Sequence, residues 1–353
     1  MRVLLVTPLF FPSLSGAAVY FDTLARHLAA ATPACDVTIL TPRVPGAPAR
    51  ERRGGARVLR LLPRSRLAAP AAVAVARALR ADVVHYHTIA SYRGLPRLAA
   101  LLPGPLVGDM RDLAARDEGV DVAPYRHCSR LICAAENILA FLRARGVPPA
   151  RLVHVPIPLV PPTPPSPAAV AAARARWGLP ADRPYALFVG AIIPYKGVAE
   201  LLAAMDAVWA QLPELGLVLA GPLTPEGDAA FPGGFRAALR DPRVRYLGPV
   251  PHDEVPALMA GAEVVVLPSR REGMPRVCLE AIALGRKVVL PPGVPEFARA
   301  CPEAVLDAVT PEAIAAAIVR ACREGRPVRY PLEQHDPARV AALTRAVYRA
   351  AGA

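Results

Sequence analysis

Apolar and polar positions along the chain alternate between two periods, and they outline a succession of strands and helices. RVLLVTPLF at the start is apolar on both faces, the pattern of a parallel strand covered on two sides. A loop over 8–16 then leads to a helix over about 17–31. DVTILTP (36–42), VLRLLP (58–63) and DVVHYH (82–87) read as further strands, with a helix near 70–80 before the last. GPLVGDM continues as a strand that ends at Arg111-Asp112. SRLICAAENILAFLRARGV (129–147) reads as strand, turn and helix closed by Gly146, and LVHVPIP (152–158) as the last strand of this half.

The segment PIPLVPPTPPSP (156–167) has proline at seven of its twelve positions, so it can be neither a helix nor a central strand. It reads as an extended, semi-rigid linker. Beyond it the alternation resumes: ALFVGA (186–191), a helix over 198–211, LGLVLAG (215–221), VRYLG (244–248), a helix over 253–259, and VVVLP (264–268). Helices over 311–323 and about 337–350 close the chain. Strand–helix alternation with apolar strands predicts α/β architecture in two Rossmann-like domains. The boundaries predicted are 1–158, a linker over 159–167, and 168–336.

Composition agrees with two domains and narrows the class. At 353 residues the chain is long for one core. Its six cysteines contain no C-x-x-C pair and read as reduced packing residues of a cytoplasmic protein. No apolar run reaches the roughly 18 residues of a membrane span, and Pro8 and Pro12 interrupt the opening run, which argues against a signal peptide. The net charge of +13 is uneven. Residues 1–165 carry 21 Arg against 10 acidic residues, whereas residues 166–353 carry 21 basic against 19 acidic. Nucleic-acid binding is not expected, because no aromatic interleaving or recognition module accompanies the charge.

The densest chemistry lies in SRREGMPRVCLEAIALGRKVVL (269–290), which reads as loop, helix and buried strand. Glu272 sits in the loop, Pro275 at the expected first helical position, Glu280 inside the helix, and Gly285 at its end. Two carboxylates astride a helix start can accept hydrogen bonds from sugar or ribose hydroxyls, while the N-terminal N–H groups attract phosphate. Taken alone, the pair reads first as solvated surface glutamates on a helix. Only two of the 42 basic residues are lysines, Lys196 and Lys287, which favours a role for Lys196 that needs a compact charge. The first strand–loop–helix lacks G-x-G-x-x-G, so dinucleotide binding is not supported.

In the first half, Arg111 and Asp112 fall at the carboxyl end of a parallel strand, where ligands collect in open α/β sheets. His85 and His87 end the neighbouring strand and are assigned here to opposite faces, with His87 as the candidate contact. Arg50, Arg52, Arg53, Arg57, Arg60, Arg64 and Arg66 crowd a segment that reads as a loop. It is either solvated or an anion-facing patch, for which Arg52, Arg53 and Arg57 stand.

EGMPRVCLEAIALGRKVV resembles the EGfPnvlLEAmAaGkPVV segment of family-4 retaining glycosyltransferases. FVGAIIPYKGVAELLAAM, about eighty residues upstream, resembles that family's fVGRLvpeKGvdlLleA. The resemblance implies the GT-B fold, with two Rossmann-like domains whose parallel sheets face an interdomain cleft and a last helix (337–353) that returns to the first domain. It implies a nucleotide-diphosphate sugar as donor substrate, an acceptor hydroxyl on a sugar, lipid-linked or small-molecule acceptor, and transfer with retention, without metal or other cofactor. Lys196 would hold the diphosphate. Glu272, with the backbone of Gly273, Met274 and Pro275, would hold the donor sugar, Val277 and Cys278 the phosphates through N–H groups, and Glu280 the ribose. Gly16 and Gly190 would line the donor site, and the base would lie between Tyr246 and Val250. Arg111-Asp112 stands where many members have His. Ala191 replaces an arginine that often follows FVG, a loss of roughly 1.5–3 kcal/mol unless Arg270, Arg271 or Arg276 compensates. Open alternatives are a disaccharide phosphorylase, a nucleotide-sugar epimerase, or a catalytically weak nucleotide-sugar-binding homologue. The basic first half adds the expectation of a lipid-linked or anionic acceptor and a peripheral contact with anionic membrane at its inner face.

Overall fold

The computed structural model describes residues 1–12, 15–63, 67–87, 95–102, 104–111, 122–229, 231 and 234–352. The opening apolar run forms β1 (Arg2–Val6), with Leu4, Leu5 and Val6 wholly buried. Helix α1 (Gly16–Ala30) follows, and Ser15 caps it by accepting the Ala18 N–H at 3.1 Å. Then come β2 (Asp36–Pro42), β3 (Arg50–Arg53), β4 (Ala56–Leu62), α2 (Ala68–Ala78), β5 (Val83–His87), α3 (Leu95–Leu101), β6 (Leu106–Met110), β7 (Arg130–Cys133), α4 (Glu136–Ala144) and β8 (Leu152–His154). The sheet order is β3-β4-β2-β1-β5-β6-β7-β8, parallel throughout except for the antiparallel β3–β4 hairpin.

The second group begins with α5 (Pro167–Arg176) and β9 (Tyr185–Val189), then α6 (Val198–Trp209), β10 (Gly216–Ala220), α7 (Pro225–Ala229), α8 (Phe235–Ala238), β11 (Val244–Gly248), α9 (Val255–Gly261), β12 (Val264–Val266), α10 (Arg276–Ala283), β13 (Lys287–Val289), α11 (Pro295–Ala300) and α12 (Pro311–Arg323). Its sheet, β11-β10-β9-β12-β13, is all parallel. Helix α13 (Pro337–Ala350) ends the chain. Three helices start with the same device, a short polar cap followed by proline: Ser166-Pro167, Thr310-Pro311 and Asp336-Pro337. Proline at the first helical position lacks an N–H that would have had no partner anyway.

The chain divides into Met1–Val160 with Glu333–Ala353, and Pro161–Leu332. Helix α13 thus belongs with the first sheet, where it packs on α1 and buries Val340, Val347 and Tyr348. Burial of each such side chain is worth about 1.5–3 kcal/mol. The first residues of the proline-rich segment are held within the same unit: Leu159 N–H donates to His335 C=O, and the His335 ring pairs with Ile157 C=O, both at 2.8 Å. No described helix is long and apolar enough to cross a membrane. All six cysteines are unbridged; burial pushes the thiols of Cys128 and Cys133 up to about 12.

The arginine-rich segment, expected as a loop, is the β3–β4 hairpin as far as it is described; Arg64 and Arg66 lie outside the described residues. RERR has no apolar alternation to mark it as a strand, and its pairing with β4 comes from its place at the sheet edge. Much of its charge is already matched. Arg53 Nε lies 2.6 Å from Asp22, Arg57 Nη2 2.8 Å from Asp36, and the buried Arg60 2.6 Å from Glu51. Arg50 and Arg52 are exposed.

Candidate active site

In the second unit, the residues of the two glutamate and lysine motifs come together at the carboxyl ends of the strands. After β9 the chain makes a 3-10 turn, Pro194–Lys196, and Gly197 begins α6 in the left-handed region at φ 70°. A Cβ on Gly197 would stand 2.1 Å from the Pro268 carbonyl oxygen, so only glycine lets this turn press against the segment that follows β12. That contact is strapped by Arg270, whose N–H donates to Tyr195 C=O at 2.8 Å and whose guanidinium lies 2.5 Å from Glu200. The consequence is that Lys196 Nζ donates to Glu272 Oε1 at 2.5 Å. Glu272 is only 6% exposed. Two residues 76 positions apart therefore form one ion pair within hydrogen-bond reach of the loop before α10.

Pro275, expected at the first helical position, is instead the N-cap, because its ψ of 110° is extended, and α10 begins at Arg276. The N–H of Cys278 is bonded to Pro275 C=O at 3.1 Å, so this first turn is already closed and Val277 is the N–H left nearer the tip. The Cys278 thiol is raised well above its ordinary value by burial first, and then by the Glu272 charge. Gly273 and Met274 are buried with Glu272. Glu280 faces the interior at 9% exposure, and burial raises its pKa against the opposing pull of Arg276 and His252. His252 was not singled out by the sequence; as a lone histidine in a polar turn it carries no pattern.

Tyr246 projects from the edge strand β11, and its hydroxyl accepts the Leu223 N–H at 3.1 Å. It lines a cavity of about 650 Å³ with Trp177, Phe235, Arg236 and Arg245, and the Lys196–Glu272 pair is not among the lining residues. Gly190 follows β9, its N–H bonded to Ala220 C=O at 2.9 Å, and Val250 follows β11 half-buried. Of the arginines expected to compensate for Ala191, Arg270 is committed to Glu200, while Arg271 and Arg276 are half-buried.

The raised pKa of Glu280 carries a prediction. A carboxylate with a folded pKa above its unfolded value keeps its stabilising balance below the unfolded pKa and loses it as pH rises through the folded pKa. Glu280→Gln should therefore raise the melting temperature at pH 7, and by less at pH 4, if the charge is uncompensated in the donor-free protein. Equal effects at both pH values would show that ionisation of Glu280 is not the cause.

In the first unit, Gly16 is the first residue of α1, and a Cβ there would meet nothing within 4 Å. Arg111 Nε lies 3.2 Å from the fully buried Asp109, and its guanidinium covers the rings of Tyr20 (4.0 Å) and Phe21 (4.5 Å). Burial would raise the Asp109 pKa, but Arg111 and the bond from His85 outweigh it and hold the group down at about 2. His85 bridges Asp109 (3.0 Å) and the Tyr348 hydroxyl (2.7 Å). His87 pairs with Thr7 Oγ1 at 3.2 Å, and burial lowers its pKa well below the ordinary histidine value.

The assignment of His85 and His87 to opposite faces is corrected: both rings lie against Phe21, because positions two apart on a strand share a face. The same period links Asp109 to Arg111 and would have revealed the pair. Asp112 lies outside the described residues.

Residues 14–159 match the family model "Glycosyltransferase Family 4", and residues 170–329 match "Glycosyl transferases group 1". The two glycosyltransferase domain matches, of the family-4 type, together cover most of the chain. A D-inositol 3-phosphate glycosyltransferase from Nocardioides sp. is 37% identical over 130 residues, 33% of this chain and 28% of that protein. The corresponding protein of Corynebacterium glutamicum is 31% identical over 123 residues, 33% of this chain and 29% of that protein. The match thus spans little more than a quarter of the length of these curated relatives. Among solved structures, an α,α-trehalose-phosphate synthase from Burkholderia xenovorans, in complex with glucose-6-phosphate, superposes with a TM-score of 0.76 at 14% identity, covering 100% of both chains. A sucrose-phosphate synthase from Thermosynechococcus elongatus gives 0.72 at 22%, covering 99% of this chain and 96% of that one. The chain has the GT-B fold.

Proposed function

We propose that this chain transfers a glycosyl group from a nucleoside-diphosphate sugar to an acceptor hydroxyl, with retention at the anomeric carbon and without a metal. The observation that carries the reading is the Lys196–Glu272 ion pair at 2.5 Å, built by the Gly197–Pro268 contact at the carboxyl edge of a parallel sheet. Charge develops on the departing diphosphate, and a preorganised cation is the largest expected contribution to its stabilisation. Lys196 supplies that cation. Glu272 orients the ammonium through Oε1 and accepts from a donor-sugar hydroxyl. The Val277 N–H adds a dipole aimed at phosphate, and Glu280 accepts from ribose hydroxyls.

The acceptor is a soluble anionic molecule of the sugar-phosphate kind rather than a lipid-linked one. Two observations support this. The relatives named above act on inositol 3-phosphate or are phosphate-sugar synthases. The hairpin arginines Arg53, Arg57 and Arg60 are already paired with acids, which leaves less free charge for a membrane than their number suggests.

The test is a melting-temperature panel of nucleotides and nucleotide sugars, followed by transfer assays with sugar phosphates in the presence of a chelator. Native-state binding raises the melting temperature with the logarithm of ligand excess. At least one nucleotide sugar should do so, and product formed under chelation should keep the donor's anomeric configuration by NMR. Absence of any donor-induced shift together with absence of transfer would refute the proposal.

A further inference from the structure

The carboxyl end of α2 departs from the way this chain ends three of its other helices. Helices α4, α5 and α10 each close on a left-handed residue, and each time it is glycine: Gly146 (φ 80°), Gly178 (φ 62°) and Gly285 (φ 63°). In each, this residue and its successor donate their N–H groups back into the last turn. Helix α2 closes with the same two bonds, Arg80 N–H to Arg77 C=O at 3.0 Å and Ala81 N–H to Ala76 C=O at 2.9 Å. Here the left-handed residue is Arg80, at φ 48°, the one non-glycine residue with positive φ among those described. A side chain at such a position strains the backbone in a way that glycine does not. Strain retained beside a cavity points to use of the side chain.

Arg80 does line a cavity, of about 480 Å³, with Arg2, Arg77, Asp82 and Gly104 among its neighbours. The cavity lies where β1, β5 and β6 begin, at the pole of the sheet opposite the strand ends that carry His87 and Arg111. Asp82 is the single acid among the described residues that line it, and both carboxylate oxygens accept from Arg2: the backbone N–H donates to Oδ2 at 2.7 Å and Nη2 to Oδ1 at 2.9 Å. Those bonds lower the Asp82 pKa, so it stays ionised with its charge offset by Arg2. Arg77 gives one N–H to Leu101 C=O at 3.1 Å. Neither Arg77 nor Arg80 has an acidic partner among the described residues. Two exposed guanidinium groups therefore line one hollow with no acidic partner of their own among the described residues.

We propose that this hollow is a binding site for a phosphate-type oxyanion, held by Arg77 and Arg80 and separate from the Lys196 site. The guanidinium fork matches two phosphate oxygens at once, which a lysine would not. The same chemistry is offered by a free phosphate ester or by the headgroup of an anionic lipid. The site does not depend on the transfer reaction proposed above.

Calorimetric titration with pyrophosphate should compare the intact chain with R80G, R77Q and K196A. R80G and R77Q are each expected to weaken one binding event about ten-fold or more, while K196A leaves that event in place. R80G should melt no lower than the parent, because glycine relieves the left-handed strain; this separates loss of the site from loss of the fold, and R77Q provides a second variant free of any backbone effect. Retention on phosphatidylglycerol vesicles at low salt, lost in R80G, would assign the site to a lipid headgroup. Pyrophosphate binding without vesicle retention would assign it to a free phosphate. Unchanged pyrophosphate affinity and unchanged vesicle retention in both R80G and R77Q would overturn the proposal.

Discussion

Lys196→Ala is expected to lower kcat/KM by a factor on the order of 100 or more. The ammonium is held by a nearly buried carboxylate, Glu272, at 2.5 Å, in a chain that uses arginine at 40 of its 42 basic positions. A cation fixed in that way acts on charge that appears only as the diphosphate departs, so its loss should fall mainly on kcat rather than on donor binding. Lys196→Arg should not restore activity, because a planar fork cannot occupy the place of a compact point charge between Glu272 and a phosphate. Steady-state kinetics on both variants, with donor affinity measured by calorimetry, checks this. Turnover close to the parent's in Lys196→Ala would remove the lysine from the chemistry.

Gly197→Ala should destabilise the second unit by about 3 kcal/mol, lowering its melting temperature by about 10 °C. Two effects add. Alanine at φ 70° carries left-handed strain, and its Cβ would stand 2.1 Å from the Pro268 carbonyl oxygen, which is backbone and cannot rotate away. Gly248 provides the control, since it has the same φ of 70° but a Cβ there would meet nothing within 4 Å. Gly248→Ala should show only the smaller conformational part. The difference between the two variants in scanning calorimetry measures the contact itself. Activity should fall in Gly197→Ala beyond what its lower stability explains, because the turn that aims Lys196 at Glu272 must shift. Equal melting temperatures for the two variants would show that the backbone yields easily and that the contact does not position the lysine.

The amino-acid sequence by itself determined most of the strands and the longer helices. The helices α12 and α13 begin and end where a polar cap, a proline and an apolar stripe place them, and the strands β2 and β11 coincide with the runs DVTILTP and VRYLG. These features are local: each is set by residues within a few positions of one another, so periodicity and capping chemistry suffice to find them. The two motifs around Lys196 and Glu272 were also legible, as was the proline-rich segment.

What only the tertiary structure decided is which of these residues meet. The pairing of Lys196 with Glu272 spans 76 positions and depends on a glycine-to-carbonyl contact that no spacing reveals. The bridge from His85 to Tyr348 spans 263 positions and exists because the last helix lies on the first sheet. Asp22, Asp36 and Glu51 neutralise hairpin arginines that a charge count treats as free. Strand β3 forms because a neighbour offers it an unpaired edge, not because its own residues favour it. Local propensity acts over a turn or a strand, whereas ion pairing, burial and steric fit act between surfaces that folding alone brings together.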